Sequence, residues 1–300
     1  MNNDKKITIK RLIIFLVISF IPFMILIPIL WKVYGGPIYV SGNEKTTVTV
    51  YIVSVLGMMI PSIAVLITRF ITKEGFSDSY LGLNIKAKGG YWAASIIIPL
   101  IEGFAGLFLM WAVLMNGISF TEAFPGADLQ KTGAFLIQFS ASVIIFFPAF
   151  GEEWGWRGYM MPKLLKLMPK PAAIITGGII WGLWHAPLTI AGHNFGNGYW
   201  GYPFTGIALM CLYCTLMNCL LTLITEKTRS IYPASFFHML HNNINVLILL
   251  PLFGSEPAIT RVAAYNGIEI NLLLLCISLI TAVVSFILFV KKENIKPGVI

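Results

Sequence analysis

Residues Leu12–Trp31 read LIIFLVISFIPFMILIPILW, twenty positions without a single charge. A hydrocarbon layer ~30 Å thick is crossed by about 20 apolar residues rising ~1.5 Å each. The run therefore predicts a helix that spans a membrane. Working outward, seven further apolar runs follow, at about Thr47–Thr68, Tyr91–Asn116, Gly133–Leu164, Ala172–Ala191, Thr205–Ile224, Ile231–Phe253 and Ile268–Val290. Only 11% of the 300 residues are charged, against about 25% in a soluble domain, and mean hydropathy is +0.80. The expected fold class is all-α, a polytopic membrane protein with about eight transmembrane helices. No linker or repeat divides the chain, so 1–300 is expected to form a single integral-membrane domain.

The first run has a basic start (Lys5, Lys6, Lys10, Arg11), as a signal peptide would. It is too long for one and no A-x-A-like site follows, so a retained span is expected. Eight spans place both termini on one side. Of the 21 Lys and Arg, 17 then fall on that side, and only Lys32, Lys45, Lys131 and Arg261 on the other. Basic loops stay in the cytoplasm. The expectation is a multi-pass protein of the cytoplasmic membrane with both termini inside. The net charge of +8 is spread over short loops that face anionic lipid, so no nucleic-acid partner is implied. Cys211, Cys214, Cys219 and Cys276 all sit in apolar runs and read as small packing residues.

Ionisable groups at bilayer depth are functional suspects, because each costs roughly 2.5–3.5 kcal/mol on insertion scales. Here they are Glu102, Glu152, Glu153, Arg157, His185, His238 and His241, with the amides Asn242 and Asn245. In Gly151-Glu152-Glu153-Trp154-Gly155-Trp156-Arg157, Glu153 and Arg157 are i,i+4 neighbours able to pair. A helix-end salt bridge would explain those two but leaves Glu152, about 100° further round, without a partner. His185 follows Trp181-Gly182-Leu183-Trp184, where a lone packed histidine is the plain alternative. Positions 238, 241, 242 and 245 repeat at i, i+3, i+4, i+7, one stripe on one helix face. Interhelical hydrogen bonds alone would need fewer polar groups. Counting ~1.5 Å per residue from the basic ends of their spans, Glu152 lies ~14 Å deep, His185 ~20 Å, His238 ~10 Å and Asn242 ~16 Å. Three spans thus bring polar groups to one layer. A carboxylate and an imidazole sharing a water make a general base. A second imidazole and an amide can donate to an oxyanion. Carboxylate and imidazoles could also hold zinc, although no HExxH occurs.

Glu152-Glu153-x-x-x-Arg157, the aromatic Trp181 four residues before His185, and His238-x-x-x-Asn242 together resemble the three motifs of the CPBP family. That family comprises type 2 CAAX prenyl proteases and bacteriocin-processing or self-immunity proteins. The resemblance covers about Phe147 to Asn245, within a motif-bearing core of about 133–253, and departs from the family in having Trp181 where Phe is frequent. It implies an intramembrane endopeptidase with a site open to the cytoplasmic side. Glu152 and His185 would activate water, His238 and Asn242 would form the oxyanion hole, and Glu153 with Arg157 would support Glu152. The resemblance permits a zinc mechanism, for which Glu152, His185 and His238 would be the ligands, or a metal-free glutamate mechanism. The lack of a compact ligand motif favours the latter, so no cofactor is favoured. The substrate would be a peptide or membrane protein met in the bilayer. Two other classes fit the same residues: a non-catalytic immunity or binding protein, and a transporter using Glu102, Glu152 and His185 as a relay. A transporter would favour inverted repeats, and none is visible.

Overall fold

The computed structural model describes residues 3–39, 44–85, 88–126, 128–244 and 246–291. Asn245 of the polar stripe lies outside these, as do Lys86, Lys292 and Lys296 among the 17 basic residues counted on one side. The chain is an all-α polytopic membrane protein. Its helices are α1 (Asn3–Tyr34), α2 (Glu44–Gly57), α3 (Ile60–Ile71), α4 (Gly89–Leu114), α5 (Phe120–Ala123), α6 (Leu129–Gly155), a π-helical turn (Trp156–Met160), α7 (Met161–Leu167), α8 (Lys170–Trp184), α9 (Ala186–Ile190), α10 (Phe204–Thr228), α11 (Tyr232–Asn243), α12 (Val246–Phe253), α13 (Glu256–Ala263) and α14 (Gly267–Val290). Among the described residues the only β-type pairing is one bridge, Leu81 to Ser230.

Among the described residues six helical stretches are long and apolar enough to cross a bilayer: Asn3–Tyr34, Val48–Ile71, Gly89–Leu114, Leu129–Leu167, Phe204–Thr228 and Gly267–Val290. Their outer faces carry exposed large apolar side chains, such as Ile13, Val17 and Ile21 on α1 and Ile280, Val283 and Val284 on α14. Such a belt suits a lipid solvent. The other two expected spans are each broken. The fifth stops at Trp184 and resumes as α9; the seventh stops at Asn243 and resumes as α12. Broken helices at membrane depth are tolerated where they line a cavity within the protein. Both breaks fall beside candidate residues, His185 and Asn242.

Contacts sort the loops into two ends. At one end Arg11 pairs with Glu74, Glu74 also meets Tyr159 and Lys163, Tyr80 bonds Glu226, and Lys170 donates to the Phe289 carbonyl. At the other, the Tyr39 amide donates to the Ala191 carbonyl, Gly267 lies against Phe195, and the Ser255 amide donates to Ala123. The basic loops gather at the first end.

Glycines let the site-bearing helices approach closely. A Cβ on Gly178 would sit 2.3 Å from Thr215 Cα, and one on Gly182 would sit 2.4 Å from Cys211 Cα, so α8 packs backbone to backbone on α10. Gly151 and Gly155 do the same for α6, against Met59 and Pro61. Small residues spaced four apart are how helices pack where lipid supplies no hydrophobic drive. These two pairs fix the rotation of α6 and α8, and with it where Glu152 and His185 point. The described cysteines are all free.

Candidate active site

Glu152 and Glu153 close the last turn of α6, and Arg157 lies in the π-helical turn that follows. A π turn inside a helix frequently marks a functional site. All three side chains are buried, at 2%, 0% and 1% exposure. Glu153 Oε1 accepts from Arg157 Nη1 at 3.0 Å, as the i,i+4 spacing requires, and also from His238 Nδ1 at 2.7 Å. The second bond was not legible from spacing. It makes Glu153 the joint between α6 and α11.

Trp181 was read only as a motif aromatic, yet it holds the site together. Its Nε1–H donates to Glu152 Oε2 at 2.9 Å. The Arg157 guanidinium carbon sits 3.8 Å from its ring centroid. His238 meets the ring edge-on at 5.7 Å between centroids. Its backbone carbonyl accepts from His185 Nδ1 at 2.9 Å. The i,i+4 spacing of Trp181 and His185 was the available signal for that last contact.

These bonds fix the imidazole protons. A carbonyl can only accept, so His185 carries its proton on Nδ1 and, when neutral, offers a lone pair on Nε2. An ionised Glu153 can only accept, so His238 also carries a proton on Nδ1. Its Nε2 then has a proton only in the imidazolium form. The two histidines are thus prepared for opposite work, one to accept and one to donate.

Glu152, His185, His238 and Asn242 all line one cavity of about 470 Å³. Asn242 is the most open of the four. Residues outside the motif set line it too, among them Glu102, His241, Tyr213 and His193. Glu102 on α4 accepts from His241 Nδ1 at 3.2 Å and from Thr281 Oγ1 at 2.8 Å. His241 Nε2 bonds the Tyr213 hydroxyl. This chain ties α4, α10, α11 and α14 on the wall opposite Glu152, and the carboxylate at span depth was its sequence signal. His193, in the loop after α9, lies against the cavity with its ring 4.7 Å from that of Tyr39.

A zinc ion would need about three converging ligands. Trp181 occupies one oxygen of Glu152, and the Nδ1 atoms of His185 and His238 are engaged as described. Among the described residues no three His, Cys, Asp or Glu side chains gather closely enough to hold a metal. Glu152 Oε1 and the Nε2 atoms of His185 and His238 carry none of these bonds, and a metal-binding imidazole ordinarily has its other nitrogen engaged in this way.

Residues 133–244 match the family model described as type II CAAX prenyl endopeptidase Rce1-like. A curated relative, CAAX prenyl protease 2 of Methanococcus maripaludis, is 30% identical over 140 residues, covering 45% of this chain. The chain matches 52% of that relative's length, about half. The resemblance to the CPBP family read from the three motifs is therefore shown over the segment that carries them.

Proposed function

We propose that this protein is an intramembrane endopeptidase that hydrolyses a peptide bond with a water activated by Glu152 and His185. The observation that carries the reading is the convergence of Glu152, His185, His238 and Asn242, from three separate helical segments, on one cavity.

Glu152, oriented by the Trp181 N–H, takes a proton from the water, while His185 Nε2 accepts the second hydrogen bond and aims the lone pair. The oxygen adds to the substrate carbonyl carbon and the π electrons move to the carbonyl oxygen. His238 Nε2–H, in the imidazolium form that Glu153 supports, and the Asn242 amide donate to that oxyanion. Donors fixed in a dry site are worth more than the same donors in water. Collapse of the tetrahedral intermediate breaks the C–N bond, and Glu152 returns its proton to the leaving nitrogen. Arg157 holds the Glu153 carboxylate in place through their i,i+4 ion pair.

The substrate is a peptide or membrane protein, and 1–300 acts as one domain in the cytoplasmic membrane with both termini inside. The charge asymmetry supports that orientation. The site opens to the cytoplasmic side, as the resemblance implies. The test compares proteomes of cells carrying the wild type and Glu152→Gln. One or a few fragments should vanish in the variant while its level in the membrane is unchanged. Identical fragment sets would refute the reading.

A further inference from the structure

The three motifs leave one polar group of the cavity unused. Glu102 on α4, Tyr213 on α10, His241 on α11 and Thr281 on α14 form a chain of hydrogen bonds, and the first three line the same cavity as Glu152 and His185. A carboxylate at span depth is costly, yet four helices each supply one residue to this group. The backbone fixes its place as well. A Cβ on Gly103 would sit 2.3 Å from the Ile244 carbonyl oxygen, so α4 packs on the chain where α11 ends.

The hydrogen bonds all run toward Glu102. Thr281 Oγ1 donates to its Oε1 at 2.8 Å. An ionised carboxylate can only accept, so His241 carries a proton on Nδ1, 3.2 Å from Glu102 Oε2. The neutral ring then accepts at Nε2 from the Tyr213 hydroxyl. His241 stacks on Phe237 at an interplanar angle of 12°, which holds the ring in place. Three neutral donors are thus spent on one carboxylate without cancelling its charge. The Tyr213 oxygen, its proton committed, presents only lone pairs, and each carboxylate oxygen has room for a second donor. Ser278, one turn before Thr281, adds a hydroxyl to the cavity wall. Among the described residues no Lys or Arg lines the cavity.

We propose that Glu102 and Tyr213 form a specificity subsite that binds a basic side chain, Lys or Arg, of the polypeptide being cut; this rests on the endopeptidase reading. An ammonium or guanidinium brings both the positive charge and the N–H donors that this wall lacks. An acidic residue at the same position would meet Glu102 and be rejected. The register follows from α11. His241 lies three residues beyond His238 and one before Asn242, a rise of ~4.5 Å and ~1.5 Å. An extended peptide advances about 3.3–3.6 Å per residue. With the cut carbonyl at His238 and Asn242, the basic residue falls within about three positions of the cut bond.

Fragments present in cells carrying the wild type, and absent with Glu152→Gln, identify the cut bonds. Lys or Arg should recur at one position within about three residues of them. A synthetic peptide spanning one such bond, and a twin with the basic residue replaced by Met, are then compared on purified protein in detergent. On the wild type the Met twin should lose roughly tenfold or more in kcat/KM, chiefly through KM, and on Glu102→Gln less than about twofold. Glu102→Asp keeps the charge and should keep the preference. If Glu102 only braced the helices, Glu102→Gln would slow both peptides equally and leave the preference intact, which would overturn the proposal. Equal kcat/KM for the two peptides on the wild type would overturn it too, and that comparison stands even where Glu102→Gln fails to accumulate. Glu152-dependent cuts with no basic residue nearby would overturn the subsite and leave the endopeptidase reading standing. The absence of any Glu152-dependent cut would overturn both.

Discussion

The Trp181 indole N–H donates to Glu152 Oε2 at 2.9 Å, across 29 residues of chain, while Arg157 lies on the face of the same ring. One side chain thus orients the proposed base and screens the cation beneath it. A hydrogen bond to a charged group contributes about 1.5–3 kcal/mol. Trp181→Phe keeps an aromatic face and removes the donor. Its rate should fall by roughly tenfold or more, with helicity and thermal stability close to wild type. An unchanged rate would show that Glu152 needs no orientation from this residue.

Glu153 is shared by Arg157 and His238 inside a region closed to solvent. Removing one member of a buried pair typically costs about 3–5 kcal/mol, because the other charge is left behind. Glu153→Gln should therefore lower the melting temperature in detergent strongly. The double variant with Arg157→Met should recover much of the loss without recovering activity. If the double variant were no more stable than the single one, the pair would not be the source of the effect.

His238 can donate through Nε2 only as an imidazolium, since its Nδ1 proton is committed to Glu153. Its surroundings contain Glu152, Glu153, Arg157 and His185. The expected pH–rate profile is bell-shaped, with Glu152 ionised on the acid limb and His238 protonated on the alkaline limb. Gln donates without titrating, so His238→Gln should be slower than wild type but lose the alkaline limb. His238→Ala and Asn242→Ala should each lose ~100- to 1000-fold. An alkaline limb that survives in His238→Gln belongs to another group.

Loop electrostatics give a separate acid sensitivity. Burial pushes the Glu74 carboxyl up, but hydrogen bonds from Lys163 and Tyr159 outweigh it and hold it below the ordinary 4.5. Asp78 is lowered in the same way by Arg69. A depressed folded value means stability that is present above the unfolded value and lost as pH falls through the folded one. Thermal stability should therefore decline below about pH 4.5, the ordinary Glu value. Glu74→Gln should be less stable than wild type at neutral pH, and the gap should narrow in acid. A gap that is constant with pH would mean that packing, not charge, accounts for the variant.

Among the described residues no three His, Cys, Asp or Glu side chains gather as a metal-holding group. Activity should accordingly survive prolonged dialysis against a strong chelator, with well under one zinc per chain by elemental analysis. Activity lost on chelation and restored by zinc would require Glu152, His185 and His238 to draw together around it.

Hydropathy and i,i+3 or i,i+4 spacing are local properties, and they carried the membrane class, the sorting of Lys and Arg to one end, and the three motif segments. Glu153–Arg157 was readable for the same reason: its partners are one helical turn apart. The breaks at His185 and after Asn243 were not, since each falls inside a run long enough to read as one continuous span. Nor were the contacts that define the site. Glu152 meets Trp181 across 29 residues, Glu153 meets His238 across 85, and Glu102 meets His241 across 139. Such partners depend on how each helix is rotated against its neighbours. Here Gly151 and Gly155 on α6, and Gly178 and Gly182 on α8, set that rotation by allowing backbone contact. The sequence by itself determined that polar groups would share a layer in the bilayer. Only the tertiary structure decided which of them touch and which histidine can donate, because each of these is a relation between helices.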